Sequence, residues 1–335
     1  MTLDSSQLPG ISGRPVIDGP KILDWPSDRQ GQGPSLDEPT ANLINDLHAE
    51  MSDCDMVLTT SGNYHMALRE LWDIYLESFP ADAPLGNWFY TTSPPVARGQ
   101  IANGLIRFGN FRGRCRPQVA VGPAELAASL VAAGLTDGGA LPICKSRGNV
   151  ILVKRRNPGK ILTVWDLGRK GIRLITPNPE TEQGSFRLYA VSIYRIAQND
   201  KKPPSGMTAE GLFNAIFNGK RGGQKWFSGR RIHHREIPWS VAYGKADAGL
   251  IFYHLAKHAK NVFPELFDIV PLGGTADEPK PLPGNQVETL CAVRIRGDWS
   301  KRQKDAAEKL MELFKSRKFT AILKRHGLEV SSPWP

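Results

Sequence analysis

Short apolar runs alternate along the chain with stretches of helical spacing. "DMVLTTSG" (Asp55 to Gly62) is an apolar strand ending in small polar residues. "NYHMALRELWDIYLESF" then places Met66, Leu68, Leu71, Trp72, Tyr75 and Phe79 on one helical stripe. The pattern recurs. "PQVAVGP" reads as a strand and "AELAASLVAAGL" as a helix closed by a glycine. "GNVILVKR" is a buried strand, "VWDLGRKG" a short helix, "IRLITPNP" a strand and "GSFRLYAVSIYRIAQN" a helix. "ADAGLIFY" is another strand, and residues 300–326 form a basic amphipathic helical end stopped by Gly327. Strands alternating with helices predict an α/β fold with mainly parallel sheets. Residues 1–40 are rich in Pro, Gly, Ser and Asp and show no period, which predicts a mobile tail with structure beginning near Asp55.

Charge changes this picture in one respect. The 335 residues carry a formal net charge of +10, although residues 1–40 hold six acids against three bases. Anionic partners are therefore favoured. The segments Lys145–Lys160 and Lys220–Arg235 each contain six Lys or Arg and no acid. No helix-turn-helix, zinc-finger or aromatic-basic RNA motif accompanies them, so an electropositive surface that draws in a small anion is expected, and no nucleic acid. No apolar run reaches the roughly 18 residues that span a bilayer, so no membrane insertion is expected. The opening "MTLDSSQLPGISGRPVIDGP" has neither a basic nor an apolar signal region. As written the chain is expected in the cytoplasm, or in the periplasm if the true start lies upstream.

In open parallel sheets ligands bind beyond the carboxyl ends of strands, where helix N-termini attract anions. Three stretches have that form: "TTSGN" (Thr59 to Asn63), "TTSPP" (Thr91 to Pro95) and "PNPETEQGS" (Pro177 to Ser185). A fourth stretch, "GRRIHHREIPW" (Gly229 to Trp239), sets two histidines among three arginines. It reads either as a solvated basic turn or as a ligand contact through His233, His234 or Arg235. If adjacent residues of a strand or loop, only one of the two histidines faces a ligand. Glu180 and Glu182 read as a solvated loop. His254 and His258 share a helical face, but no carboxylate stands at metal-site spacing, and no metal or cofactor is expected. The four cysteines, Cys54, Cys115, Cys144 and Cys291, form no CxxC. Cys144 lies beside Lys145 and Arg147 and is expected to be buried and inert.

These pieces in this order resemble the substrate-binding proteins of molybdate, tungstate and sulfate ABC importers, which have the type II periplasmic-binding-protein fold. "DMVLTTSGNYHMALRELWDIYLE" looks like the opening strand, hydroxyl-bearing loop and helix of that family. "QVAVGPAELAASLVAAGLTDGGALPICKSRGNVILVKRRNP" is similar to its third strand, helix and crossing strand. "ILTVWDLGRKGIRLITPNPETEQGS" looks like the entry to the second lobe, "GKADAGLIFYHLAKH" like the strand bearing a ligand-facing aromatic, and "FKSRKFTAILKRHGLEV" like the closing helix. The resemblance implies two α/β lobes with a ligand cleft between them: residues 55–150 plus 293–335, and residues 151–292, after a tail over 1–54.

Carried onto this sequence, the resemblance places Ser61 and Gly62 at the first helix N-terminus and Ser93 as a second hydroxyl. Thr181, Gly184 and Ser185 fall in the second-lobe turn, and Tyr253 is the aromatic contact. "IHHREIPWS" falls on the segment that supplies a backbone ligand, but a His-His-Arg cluster is no part of the family pattern. Such titratable groups suit a carboxylate, sulfonate or phosphate ester, with Arg235 as a bidentate grip and His234 adding charge as pH falls. The expected function is a solute-binding protein that closes on a small anion, an oxyanion or small organic acid, with an ABC permease as partner if the chain is exported. The alternative is a cytosolic lyase or hydrolase on the same scaffold, with His233 or His234 as general base and Arg235 as anion clamp.

Overall fold

A computed structural model describes residues 8–17, 47–49, 54–92, 95–108, 111–219, 225–230 and 232–331. The chain divides into two compact units. The first lobe comprises residues 44–145 and 288–335, and the second comprises 1–43 and 146–287.

Strand β1 (Val16–Ile17) comes first and belongs to the second lobe. The first lobe then runs β2 (Leu47–Ala49), β3 (Met56–Ser61), α1 (His65–Glu77), β4 (Asn87–Thr92), α2 (Arg98–Asn103), β5 (Leu105–Phe108), β6 (Phe111–Arg114), β7 (Val119–Pro123), α3 (Ala124–Ala132) and β8 (Leu141–Lys145). The second lobe follows with β9 (Asn149–Lys154), β10 (Leu174–Thr176), α4 (Gln183–Asn199), α5 (Ala209–Phe217), β11 (Trp226–Ser228), α6 (His233–Ala242), β12 (Ala248–Phe252), α7 (Tyr253–Val262) and β13 (Phe267–Pro271). The chain returns to the first lobe through β14 (Thr289–Arg294), α8 (Lys301–Leu313), α9 (Arg317–Arg325) and β15 (Glu329–Val330).

Among the described residues the first lobe has a seven-stranded sheet, ordered β15-β8-β14-β7-β3-β4-β2, and it is mixed instead of mainly parallel as expected, since β3 alone pairs in parallel, with β4 and β7. Strand alternation sends successive side chains to opposite faces. Leu58, Val119, Val121, Leu290 and Ala292 accordingly join one apolar cluster with α1, α8 and α9, through Trp72, Leu310 and Phe319. Val57, Ala120, Cys291 and Val293 join another with Ile101, Ala127 and Leu130. The stripe expected on α1 is the buried one: Met66, Leu68, Leu71, Trp72 and Tyr75 are all buried, with Phe79 packed at the edge of the cluster.

The second lobe has a six-stranded sheet, ordered β1-β11-β10-β12-β9-β13. β1, β11, β10 and β12 are parallel, whereas β9 and β13 run antiparallel to their neighbours. β9 and β12 are buried on both faces, as unbroken apolar runs require.

Two boundaries differ from the sequence expectation. Each crossing between the lobes comes earlier, at 145/146 and 287/288 instead of 150/151 and 292/293. Asn149 is the reason for one, since its amide joins Asn285 and Ser192 of the second lobe. Thr289 is the reason for the other, since it pairs with Lys145. Within the expected tail, Val16–Ile17 pairs with β11 and Leu47–Ala49 with β4, while Asn218 holds Gly10 and Ser12. Main-chain pairing at a sheet edge needs no apolar period, so the sequence pattern carried no sign of it.

The start of β12 is tied to β10 by Asp247, which accepts from the Arg173 amide and guanidinium at 2.8 Å each. Burial pushes the Asp247 carboxyl upward, but the Arg173 hydrogen bonds and charge outweigh it and the net shift is down. A carboxylate with a lowered folded pKa adds stability above its unfolded pKa, about 3.9, and loses it as pH falls below that. Asp247→Asn should therefore cost about 0.5–1 kcal/mol at pH 7 for this partly exposed pair, with the deficit fading below about pH 4. Urea unfolding of both proteins at pH 7 and pH 3.5 checks this.

Candidate functional site

In the second lobe the parallel strands β10, β11 and β12 each run at their carboxyl ends toward a helix: α4, α6 and α7. Helix starts leave N–H groups without intrahelical acceptors, and those groups must find other partners. The β10–α4 loop begins with Thr176, whose hydroxyl accepts from the Trp226 indole at 2.9 Å and donates to the Pro177 carbonyl. Asn178 then folds the turn. Its side-chain oxygen accepts from the amides of Glu180 and Thr181, and its Nδ2 donates to the Gly229 carbonyl in the β11–α6 loop at 3.1 Å. The Thr181 hydroxyl donates to the Arg230 carbonyl at 2.7 Å. The two loops are thus stitched to one another.

Two buried carboxylates complete the stitching. Glu182, 2% exposed, accepts from the His233 amide at 3.1 Å and lies 2.6 Å from the His233 Nδ1. His233 is 0% exposed and meets the Tyr189 ring edge-on. Glu236 accepts from the Arg230 amide at 2.7 Å and from the Ile232 amide at 2.9 Å. Gly229 makes room for it, because a Cβ there would stand 2.0 Å from the Glu236 Oε2. The chain's own acids therefore take the N–H groups that lead into α6.

α4 differs. No side chain caps its start, and no acid lies in its first turn. Gly184 there is exposed, and nothing lies within 4 Å of where its Cβ would be. The N-cap residue of this 17-residue helix is Glu182, whose carboxylate is turned onto His233 instead of back onto the helix start.

In the first lobe, Ser61 ends β3 and Gly62 opens the 3-10 turn Gly62–Tyr64; both are buried. The parallel register pairs Thr60 with Thr91 and Ser61 with Thr92. The hydroxyls of Thr60, Thr91 and Thr92 are buried, with no hydrogen-bond partner among the described residues. Tyr64 donates its hydroxyl to Glu288 at 2.8 Å.

Residues 113–329 match the family described as bacterial extracellular solute-binding protein. The chain belongs to that family. The fold agrees with this membership. The sulfate-binding protein SubI from Mycobacterium tuberculosis is similar at TM-score 0.58 and 16% identity, over 84% of this chain and 88% of that one. The Azotobacter vinelandii periplasmic molybdate-binding protein is similar at TM-score 0.50 and 16% identity, over 83% and 100%. Iron-bound HitA from Pseudomonas aeruginosa gives TM-score 0.51 and 15% identity, over 81% and 84%. No curated relative matches the chain. The expected type II periplasmic-binding-protein-like, two-lobe α/β fold is the fold of this protein.

The structure gathers Thr181, His233, His234 and Arg235 into one bonded or adjoining set of loops, with Gly184 and Ser185 following on α4. Thr181 is exposed, but its hydroxyl is already spent on Arg230. His234 and Arg235 are buried, at 5% and 3% exposure, in the first turn of α6. The solvated basic turn is therefore corrected for His233 to Glu236, which form a buried helix start, while Arg230 before it is exposed. Both histidines are buried because the first turn of α6 is enclosed all round, with His233, His234, Arg235 and Glu236 each 5% exposed or less. Glu182 is likewise corrected from solvated to buried. Tyr253 opens α7 instead of ending a strand, and its hydroxyl donates to the Asp277 carbonyl at 2.7 Å. Burial, with Asp277 in second place, pushes that phenol upward. Ser93 lies outside the described residues. Thr60, Thr91 and Asn178 lie within the strand-end stretches singled out in the sequence without being named individually, and only Glu236 lay outside them, in the histidine-arginine stretch. Glu236→Ala leaves the Arg230 and Ile232 amides without their acceptor and should destabilise the protein by about 1–3 kcal/mol, with Glu236→Gln recovering part. An unchanged urea midpoint for Glu236→Ala would show the cap to be dispensable.

Proposed function

We propose that this solute-binding protein takes a small anion, an oxyanion or a small organic acid, and that the α4 start of the second lobe is where the anion is held. One observation carries the reading. Of the two stitched helix starts, α6 is served by internal carboxylates, whereas no side chain caps α4 and no acid lies in its first turn, its N-cap residue Glu182 being turned onto His233. A helix start in that condition favours negative charge. The chain's net charge of +10 supports the same sign of ligand. The sulfate- and molybdate-binding proteins that share the fold support it as well. Ser61, Thr60 and Thr91 of the first lobe are hydroxyl donors for the same anion in this proposal. The cleft between lobes belongs to the proposal through the resemblance alone. Delivery to an ABC permease, and a periplasmic location for that encounter, follow from the same reading.

A thermal-shift series on the full chain tests it, with molybdate, tungstate, sulfate and small organic acids at pH 6 and pH 8, and neutral sugars as controls. A ligand at 100 times its Kd adds about 2.7 kcal/mol of stability. Stabilisation by anions alone is expected, and by neutral solutes alone would overturn the reading. Gly184→Glu sets a negative charge at the α4 start without crowding anything. It should weaken anion binding by roughly tenfold while leaving the unliganded melting temperature unchanged or higher. Undiminished binding by that variant would place the anion elsewhere.

A further inference from the structure

The turn that follows β9 carries charge that the second lobe's anion site does not use. β9 ends at Lys154, one residue past Val153, which faces Ala248 at the amino end of β12. β10 starts at the same level, with Leu174 beside Ala248. The chain between β9 and β10 therefore lies at the opposite end of the sheet from the α4 start, which follows the carboxyl end of β10.

Residues 154–170 hold six Lys or Arg and one acid, Asp166. The acids that touch the turn are engaged. Glu265 pairs with Arg155, and Asp166 with Arg169 at 3.3 Å. Asp268 accepts from the Arg156 amide at 2.8 Å and pairs with Lys260 at 3.3 Å. The side chains of Lys154, Arg156, Lys160 and Lys170 are exposed and make no ion pair or hydrogen bond among the described residues. Leu162 stands among these four cations. It is 69% exposed, the most exposed large apolar side chain of the described residues, although Ile161 before it and Val164 after it are buried.

The backbone that displays them is fixed. Among the described residues, the non-glycine residues with left-handed backbone are Arg156, Asn157 and Lys160, with φ of 64°, 45° and 48°. Such conformations are strained for residues with a Cβ and persist only where the surroundings enforce them. Here the Asn157 side chain bonds both main-chain groups of Ile161, at 3.0 and 2.7 Å. The Arg169 guanidinium donates to the Gly159 and Lys160 carbonyls, which draws 169–170 to 159–160. The Asp166 carboxylate accepts from the Leu162 and Thr163 amides at 2.8 and 2.9 Å.

We propose that this turn is a peripheral membrane contact that rests on a bilayer containing anionic phospholipid, with Leu162 entering the acyl boundary and the four cations at the phosphates. It stands independently of the anion-binding reading. Charge complementarity selects an anionic partner. The lone leucine selects lipid over protein. A protein interface of ordinary size buries about 800 Å² a side around a cluster of packed anchors, and this turn offers one anchor. A headgroup layer asks for no shape match and is fitted by an apolar side chain flanked by lysine and arginine stems. Exposed charges are screened by salt, so the contact is salt-sensitive.

Co-sedimentation of the full chain with phosphatidylglycerol vesicles and with phosphatidylcholine vesicles, at low and high salt, tests this. Binding to phosphatidylglycerol alone, lost at high salt, is expected. Lys154→Gln with Lys170→Gln should weaken it by about fivefold per cation, and Leu162→Ser by roughly tenfold. Lys304→Gln with Lys318→Gln, at exposed positions of α8 and α9 in the first lobe, makes the same change in net charge and should leave binding unchanged. The turn variants should melt as the native chain does, which separates a lost contact from a lost fold. No sedimentation with phosphatidylglycerol at low salt, equal sedimentation with phosphatidylcholine, undiminished binding by Leu162→Ser, or the same loss in the first-lobe pair would each overturn the proposal. Retention on immobilised polyglutamate without vesicle binding would overturn it in favour of an acidic protein partner.

Discussion

Where a parallel strand hands over to a helix, four N–H groups need acceptors that the helix itself does not provide. Much of the second lobe's organisation answers that need. Glu182 and Glu236 turn inward at 2% and 4% exposure and accept from the main chain entering α6. Buried carboxylates are costly unless paired and hydrogen-bonded. Glu182 meets the condition through the amide and ring of His233, and Glu236 through two amides. Asn178 and Thr181 lock the two loops in the geometry that makes those bonds. The consequence is an asymmetry between neighbours: the segment entering α6 is held by carboxylates, and the α4 start has no side-chain cap.

The same arrangement changes the meaning of the histidine-arginine stretch. His233 has no exposed surface and is bonded to Glu182, so it acts as a strut between loops. The general-base role considered for it requires access that a fully buried ring lacks. His234 and Arg235 stand in the first turn of a helix, not in a loop. In the first lobe, Thr60 and Thr91 stand in register on adjacent strands with buried hydroxyls.

Most of the elements were legible in the sequence because their periods are strong. The α1 stripe and the unbroken runs of β9 and β12 could be read from spacing, and the strand–helix alternation pointed to the α/β class. α6 was not legible. Pro238 sits inside it, where proline removes a helical hydrogen bond and normally argues for an end. Its first four residues are two histidines, an arginine and a glutamate, which any composition rule assigns to the surface. They are inside because Glu182, fifty-one residues earlier in the chain, comes to meet them.

The sequence by itself determined the class of fold, the order of its elements, the sign of the overall charge and the strand-end loops where chemistry gathers. These follow from hydrophobic period, turn residues and counting, all of which are local. Tertiary structure alone decided which loop faces which, and therefore which donors are consumed and which remain. It placed Glu182 on His233, left the α4 start without a side-chain cap, and set Thr60 in register with Thr91. Each of these depends on distances between segments remote in the chain, and sheet register sets such distances only once the strands have paired.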